Sequence, residues 1–376
     1  MTDQQKFLAS LRTLGTLSNL TKLGQNVLKN VGAVKNSLPL AEPKSDDFVQ
    51  NLLSKLGVSG QGVGLNAGLH AGLRKAPVRT AAPLPVGAQF LSGTFGNRAG
   101  SRHYKLYVPA CYVGEPLPLV VMLHGCTQDP DDFAAGTQMN EAAETQRCLV
   151  LYPQQSQTNN HSKCWNWFNA ADQQRDVGEP SIIADLTREI MARYAVERQQ
   201  VYVAGLSAGG AMAAIMGTLY PDLYAGVAVH SGLPYGAAAD LPSALSAMRS
   251  GVTGGAALHA RNGNTAFKGI PVIVFHGDAD HTVNQRNGEQ VLSSTAPADV
   301  RVEQPVQTQG SIPGGHTYTR TVRNDARGKS VAEHWLIHGF GHAWAGGSPH
   351  GSYTDARGPD ATDEMMRFFY TQRLAS

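Results

Sequence analysis

The sequence predicts an α/β fold, a mostly parallel twisted sheet with helices on both faces, and three observations predict it. From about residue 88 onward, short apolar runs alternate with segments of helical period, the pattern of strands joined by crossover helices. The run "PLPLVVMLHG" is continuously apolar, as expected of a strand buried on both faces. The stretch "GLSAGGAMAA" at 205–214 places a serine between a strand pattern and a helix pattern. Parallel sheets of this kind bind ligands beyond the carboxyl ends of their strands, so those ends are where chemistry is to be sought.

Residues 1–86 read differently from residues 87–376. Leu8, Leu11, Leu14, Leu17, Leu20 and Leu23 recur at helix-like spacing, with Lys6, Arg12, Lys22 and Lys29 among them. A shorter apolar pattern, "DDFVQNLLSKLG", follows Ser45, a good N-cap residue, and a Gly-, Ala- and Pro-rich linker follows that. This helical N-terminal extension has two readings: a basic amphipathic helix that adsorbs to a granule or polymer surface, or a helix docked on protein. The start, "MTDQQKFLASLRTLG", has no continuous apolar h-region and does not read as a classical signal peptide. The net charge of +2 in 376 residues gives no electrostatic reason to expect nucleic acid. No apolar run is long enough to span a bilayer.

In the second region, "AQFLSGTF" and "RHYKLYVP" read as an antiparallel pair. "PLPLVVMLHG", "CLVLYP", "QVYVAG", "AGVAVHSG", "GIPVIVFHG" and "EHWLIHG" follow as apolar strands. Helical patterns lie between them, around 129–146, 180–195, 207–220, 284–295 and 360–371.

Ser207 occupies the GxSxG context at a strand-to-helix junction, where small residues at 205 and 209 allow a sharp turn. A serine hydroxyl needs a base to take its proton, and in this architecture an acid and then a histidine follow on later strands. "VIVFHGDADHTV" offers Asp278 and Asp280, and "WLIHGFGHAWAGG" offers His338 and His342. Asp280 stands far enough beyond its strand to turn its carboxylate inward, whereas Asp278 is placed to fix the loop. His342 lies in a glycine-bounded loop that can present an imidazole, whereas His338 still belongs to its strand. The four-residue spacing of His334, His338 and His342 would align metal ligands only on a helix, and Gly339 and Gly341 oppose one, so no metal is expected. "MLHGCTQDP" ends the first long parallel strand at His124, Gly125 and Cys126, and the backbone N–H groups of Ala208, after the nucleophile, and of Cys126, in the loop after that strand, are the expected oxyanion donors.

Taken together, "LVVMLHGCTQDPDDF", "CWNWF", "GLSAGGAMAA", "VFHGDADHTV" and "GFGHAWAGGS" resemble the polyhydroxybutyrate depolymerase-type esterases of the α/β-hydrolase fold, over roughly residues 90–372. The resemblance implies a serine esterase that hydrolyses poly(3-hydroxybutyrate), related short-chain polyesters or their oligomers without cofactor. It also implies Ser207, Asp280 and His342 as triad, with Cys126 and Ala208 as oxyanion contributors. Two alternatives remain: a feruloyl or acetylxylan esterase with the same triad, and a granule-binding protein that uses the fold only as scaffold.

In that sheet order Cys111 should approach Cys148, and Cys126 should meet Cys164 beside Ser207, giving two disulfides; buried free thiols are the alternative. Disulfides and the resemblance point to a secreted protein, the missing leader to a cytoplasmic, granule-associated one. Trp165, Trp167 and Trp344 flank the expected site and are candidate substrate contacts, although core positions suit large aromatics equally.

Overall fold

The computed structural model describes residues 84–252, 267–297 and 305–374. The N-terminal extension expected over residues 1–86 lies, but for its last three residues, outside them.

The described residues build a ten-stranded sheet. Its first strands, β1 (Gln89–Asn97) and β2 (Gly100–Val108), form the antiparallel hairpin read from the sequence. β3 (Leu117–Leu123), β4 (Leu149–Pro153), β5 (Val196–Leu206), β6 (Gly226–His230) and β7 (Val272–Gly277) are the short apolar runs. β8 (Val306–Ser311), β9 (Thr317–Asn324) and β10 (Ser330–Ile337) complete the sheet. The strand order is β1-β2-β4-β3-β5-β6-β7-β10-β9-β8. The six central strands, from β4 to β10, pair in parallel, and an antiparallel pair closes each edge.

Side chains along each buried strand alternate between two apolar layers, as strand geometry requires. Leu119, Val121 and Leu123 of β3 enter one layer; Val120 and Met122 enter the other. The first is covered by α3 (Gly178–Arg193), α4 (Ala208–Leu219), α5 (Leu241–Ser250) and α6 (Arg286–Thr295). The second is covered by α1 (Pro130–Thr137), α2 (Met139–Gln146) and α7 (Ala361–Tyr370). After β3 the chain pairs β4 on one side, then crosses to place β5 on the other. The crevice beyond the carboxyl ends of β3 and β5 is therefore the topological switch point, where such sheets leave room for a ligand.

The pairing expected between Cys111 and Cys148 is corrected by the structure: both are free thiols. β2 does lie antiparallel to β4, but their ladder ends at Tyr107 and Val150. Beyond it the Tyr112 N–H donates to the Pro109 carbonyl in a turn that holds Cys111, while Cys148 packs into the apolar layer. The pairing of Cys126 with Cys164 is present as a disulfide.

Candidate active site

The β5–α4 junction forms a tight elbow. Ser207 has φ 57° and ψ −119°, a conformation that non-glycine residues adopt only when the surroundings impose it. The surroundings are the glycines on either side. A Cβ at Gly205 would collide with the Gly209 backbone, and one at Gly209 would drive into the Leu123 carbonyl oxygen. The elbow therefore packs directly on the end of β3, with the Ser207 N–H donating to the His230 carbonyl at 2.9 Å.

Asp280 and His342 meet as a pair, Asp280 Oδ2 lying 2.7 Å from His342 Nδ1. The other carboxylate oxygen accepts the N–H groups of Thr282 and Val283, each at 2.9 Å. A buried His276 imidazole stands 3.6 Å from Oδ2. Burial alone would raise the Asp280 carboxyl; the His342 and His276 imidazoles and the Val283 N–H outweigh it and hold the group below its ordinary value. An ionised Asp280 carboxylate can only accept, so the hydrogen bond is donated by His342 Nδ1–H. Asp278 plays the loop-fixing part expected of it, accepting from the Gly339 N–H at 2.7 Å and pairing with His338 Nδ1 at 2.9 Å.

The oxyanion candidates lie beside the elbow. Ala208 opens α4, so its N–H has no intrahelical acceptor. Cys126 N–H is given to no backbone carbonyl among the described residues. A side chain on Gly125 would sit 3.7 Å from Ser207 Cβ, which places this loop against Ser207. Three contacts hold it there: the disulfide to Cys164, the Thr127 N–H on Ser162 O at 2.7 Å, and Gln128 Oε1 accepting the Gly125 N–H at 2.9 Å. The loop carrying Cys164 is anchored in turn by buried Glu179, which accepts from Asn166, Gln155 and Arg102.

The tryptophans are the second correction. Trp165, Trp167 and Trp344 are 0 %, 5 % and 2 % exposed, so none presents a face to a substrate. Trp165 Nε1 donates to His124 O and Trp344 Nε1 to Thr362 Oγ1; the indoles are core that happens to lie beneath the site.

Sequence reading missed the buried histidines that end the parallel strands. His124 Nε2 accepts the Gln155 N–H, His230 Nε2 accepts the Ala345 N–H, and His276 Nε2 donates to Val283 O. Burial depresses all three below the ordinary imidazole value, His124 to about 4. The signal was available: apolar strands repeatedly end in histidine followed by a small residue, in "VVMLHG", "GVAVHSG" and "VIVFHG".

Sheet order and elbow are those of the α/β-hydrolase fold, and an acetyl xylan esterase from Aspergillus awamori superposes with a TM-score of 0.60 at 20% identity. That superposition covers 76% of this chain and 99% of the other. The chain belongs to the family described as Esterase PHB depolymerase, which matches residues 102–318. Among its relatives, poly(3-hydroxyalkanoate) depolymerase C of Paucimonas lemoignei is 32% identical over 255 residues, covering 66% of this chain and 60% of the relative. Poly(3-hydroxybutyrate) depolymerase of Ralstonia pickettii is 31% identical over 283 residues, covering 69% and 55%. The chain thus spans little more than half the length of these two relatives. Among the described residues no helix is long and apolar enough to cross a membrane, and no three potential metal ligands cluster.

Proposed function

We propose that the chain is a serine esterase that cleaves poly(3-hydroxybutyrate), related short-chain polyesters or their oligomers through an acyl-enzyme, with residues 87–376 as its catalytic domain. The observation that carries this reading is the Asp280–His342 pair at 2.7 Å, Asp280 lying beyond the carboxyl end of β7 as the strained Ser207 elbow lies beyond that of β5. The names of the two bacterial relatives support the substrate class.

In this reading Ser207 Oγ attacks the ester carbonyl carbon while His342 Nε2 takes its proton. The oxyanion of the tetrahedral intermediate is received by the N–H groups of Cys126 and Ala208. Collapse expels the hydroxyl end of the polymer, which leaves with the proton from His342. A water then gives its proton to the same nitrogen, attacks the acyl-enzyme and releases the acid, returning Ser207. Asp280 holds the imidazole and stabilises its charged form throughout. The basic, leucine-rich N-terminal extension (residues 1–86) is assigned to adsorption on the granule or polymer surface.

Release of soluble 3-hydroxybutyrate from amorphous granules tests both parts. Wild type should release it and Ser207→Ala should not. Deletion of residues 1–86 should reduce granule attack while leaving hydrolysis of p-nitrophenyl acetate. If the wild type instead frees acetate from acetylated xylan and leaves granules intact, the carbohydrate-esterase reading replaces this one.

A further inference from the structure

With the tryptophans buried, the site lacks its expected aromatic contact, and the structure offers another. Tyr353 is 37 % exposed, and its hydroxyl lies 3.3 Å from Thr127 Oγ1 although 226 residues separate the two. Its position joins both halves of the site. Thr127 directly follows the oxyanion candidate Cys126, and the Tyr353 carbonyl accepts the N–H of Trp344, two residues beyond His342, at 2.7 Å.

Both members of the pair occupy the left-handed region, Thr127 at φ 68° and Tyr353 at φ 53°. For a β-branched and an aromatic residue that is a true outlier, and such outliers gather where a ligand is held. Of the other non-glycine residues with positive φ, Asp176 lies just before α3 and stands apart from this pattern. Gln138 and Arg147 lie at helix ends, where the conformation serves as a cap. Thr127, Lys163, Ser207, Ser231 and Tyr353 instead follow or face the carboxyl ends of the central strands. At Tyr353 the conformation is enforced from behind. The preceding Ser352 donates its N–H to Asp132 Oδ1 at 2.9 Å, and its carbonyl accepts from buried Gln128 Nε2 at 3.1 Å. Gln128 is the same residue that holds the Gly125 N–H. The surroundings thus force an aromatic ring outward beside the oxyanion loop, where core packing would have drawn it inward.

We propose that Tyr353 is the specificity-determining contact of the esterase site, its ring receiving the apolar face of a polyester chain beyond the scissile bond. Its hydroxyl forms, with that of Thr127, a donor pair for a neighbouring ester carbonyl. The proposal rests on the polyester reading above. Two hydroxyls carry two protons; one is used between them, and the other remains free to donate. A poly(3-hydroxyalkanoate) chain presents only alkyl groups and ester acceptors, so an apolar face beside one free donor matches it. An acylated sugar brings hydroxyl donors of its own and gains less from such a pair.

Steady-state kinetics on a linear 3-hydroxybutyrate trimer and on p-nitrophenyl acetate test this, with thermal unfolding followed by circular dichroism as the fold control. Tyr353→Leu should raise KM for the trimer about tenfold with a much smaller change in kcat. Its loss of efficiency on p-nitrophenyl acetate should be several-fold smaller than on the trimer. Tyr353→Phe, which keeps the ring and loses the hydroxyl, should raise the trimer KM about threefold, and Thr127→Ala should match it without touching the ring. Equal losses on both substrates, or an unchanged trimer KM, would overturn the assignment. If the Tyr353 variants do not fold, Thr127→Ala alone decides by the same criterion. A wild type that hydrolyses p-nitrophenyl acetate but not the trimer would remove the polyester reading itself, and this proposal with it.

Discussion

His230 Nε2 accepts a hydrogen bond from the backbone N–H of Ala345 at 3.0 Å, tying the end of β6 to the segment that carries His342. Because Nε2 accepts, Nδ1 bears the proton, and it faces Ser231 Oγ at 3.2 Å. The ring stacks against Phe275 and Trp344, and the carbonyl of the same residue accepts the Ser207 N–H. One buried residue therefore holds both segments: its backbone carbonyl the Ser207 elbow and its uncharged imidazole the loop after His342.

Replacing it should separate positioning from chemistry. His230→Leu leaves the Ala345 N–H buried without an acceptor, a loss of about 2 kcal/mol in stability. It also frees the loop, so kcat on a small ester should fall on the order of tenfold to a hundredfold while KM changes little. His230→Gln, whose amide oxygen can accept the same N–H, should recover part of kcat. A lowered melting temperature with kcat intact would reduce His230 to a packing residue.

Buried histidines also tie loop backbone to the ends of β3 and β7: His124 accepts the Gln155 N–H beside the Cys126 loop, and His276 donates to Val283 O beneath Asp280. Their roles show why the site was only partly legible in the sequence. Ser207, Asp280 and His342 could be proposed from the sequence because each chemical role demands a residue type at a set place after a strand, and the structure brings Asp280 and His342 into contact. The histidines could not, because their role depends on which backbone group of a distant loop arrives, and that follows from sheet order. Strand order also explains the fold's legibility. The parallel strands are buried on both faces and read as continuous apolar runs, whereas β8 ("VQTQGS") lies at the edge with its residues largely exposed, and its sequence carries no such run. Helix α5 was missed despite a local signal: Asp240 and Ser243 form a capping box with a proline in the first turn. The tryptophans were drawn to the site by proximity in sequence, yet burying a large ring is worth more than exposing it.

The cysteine arrangement can be counted. Without reductant, the denatured chain should show two thiols to Ellman's reagent, Cys111 and Cys148, and four after reduction. In the native protein only Cys111 should react. Cys148 is buried, which pushes its thiol up to about 12 and leaves little thiolate. A count of zero in the unreduced, denatured chain would restore the Cys111–Cys148 bond. Reduction should also lower kcat by loosening Cys126, while the Thr127–Ser162 hydrogen bond and the Glu179 network keep the domain folded.

The buried histidines make stability fall on mild acidification. His124 and His334 are pushed down by burial from 6.5 to about 4, and His230 and His276 are lowered by the same cause. In the unfolded chain each takes a proton near pH 6.5, and in the folded chain each does so only at lower pH. Between those values the unfolded state binds more protons, so stability decreases as pH falls through this window, by about 1.4 kcal/mol per pH unit for each such group. Glu179, raised by burial and by the neighbouring Asp172 charge, acts in the opposite sense nearer the carboxylate range. The melting temperature should therefore be highest above pH 6.5 and drop steeply from there towards pH 4. His334 offers the clean check, since its Nε2 is buried without a hydrogen-bond partner among the described residues. His334→Leu should flatten the slope by about 1.4 kcal/mol per pH unit and melt higher than wild type at pH 5. Parallel curves for the two proteins would mean that His334 already takes up its proton inside the folded chain.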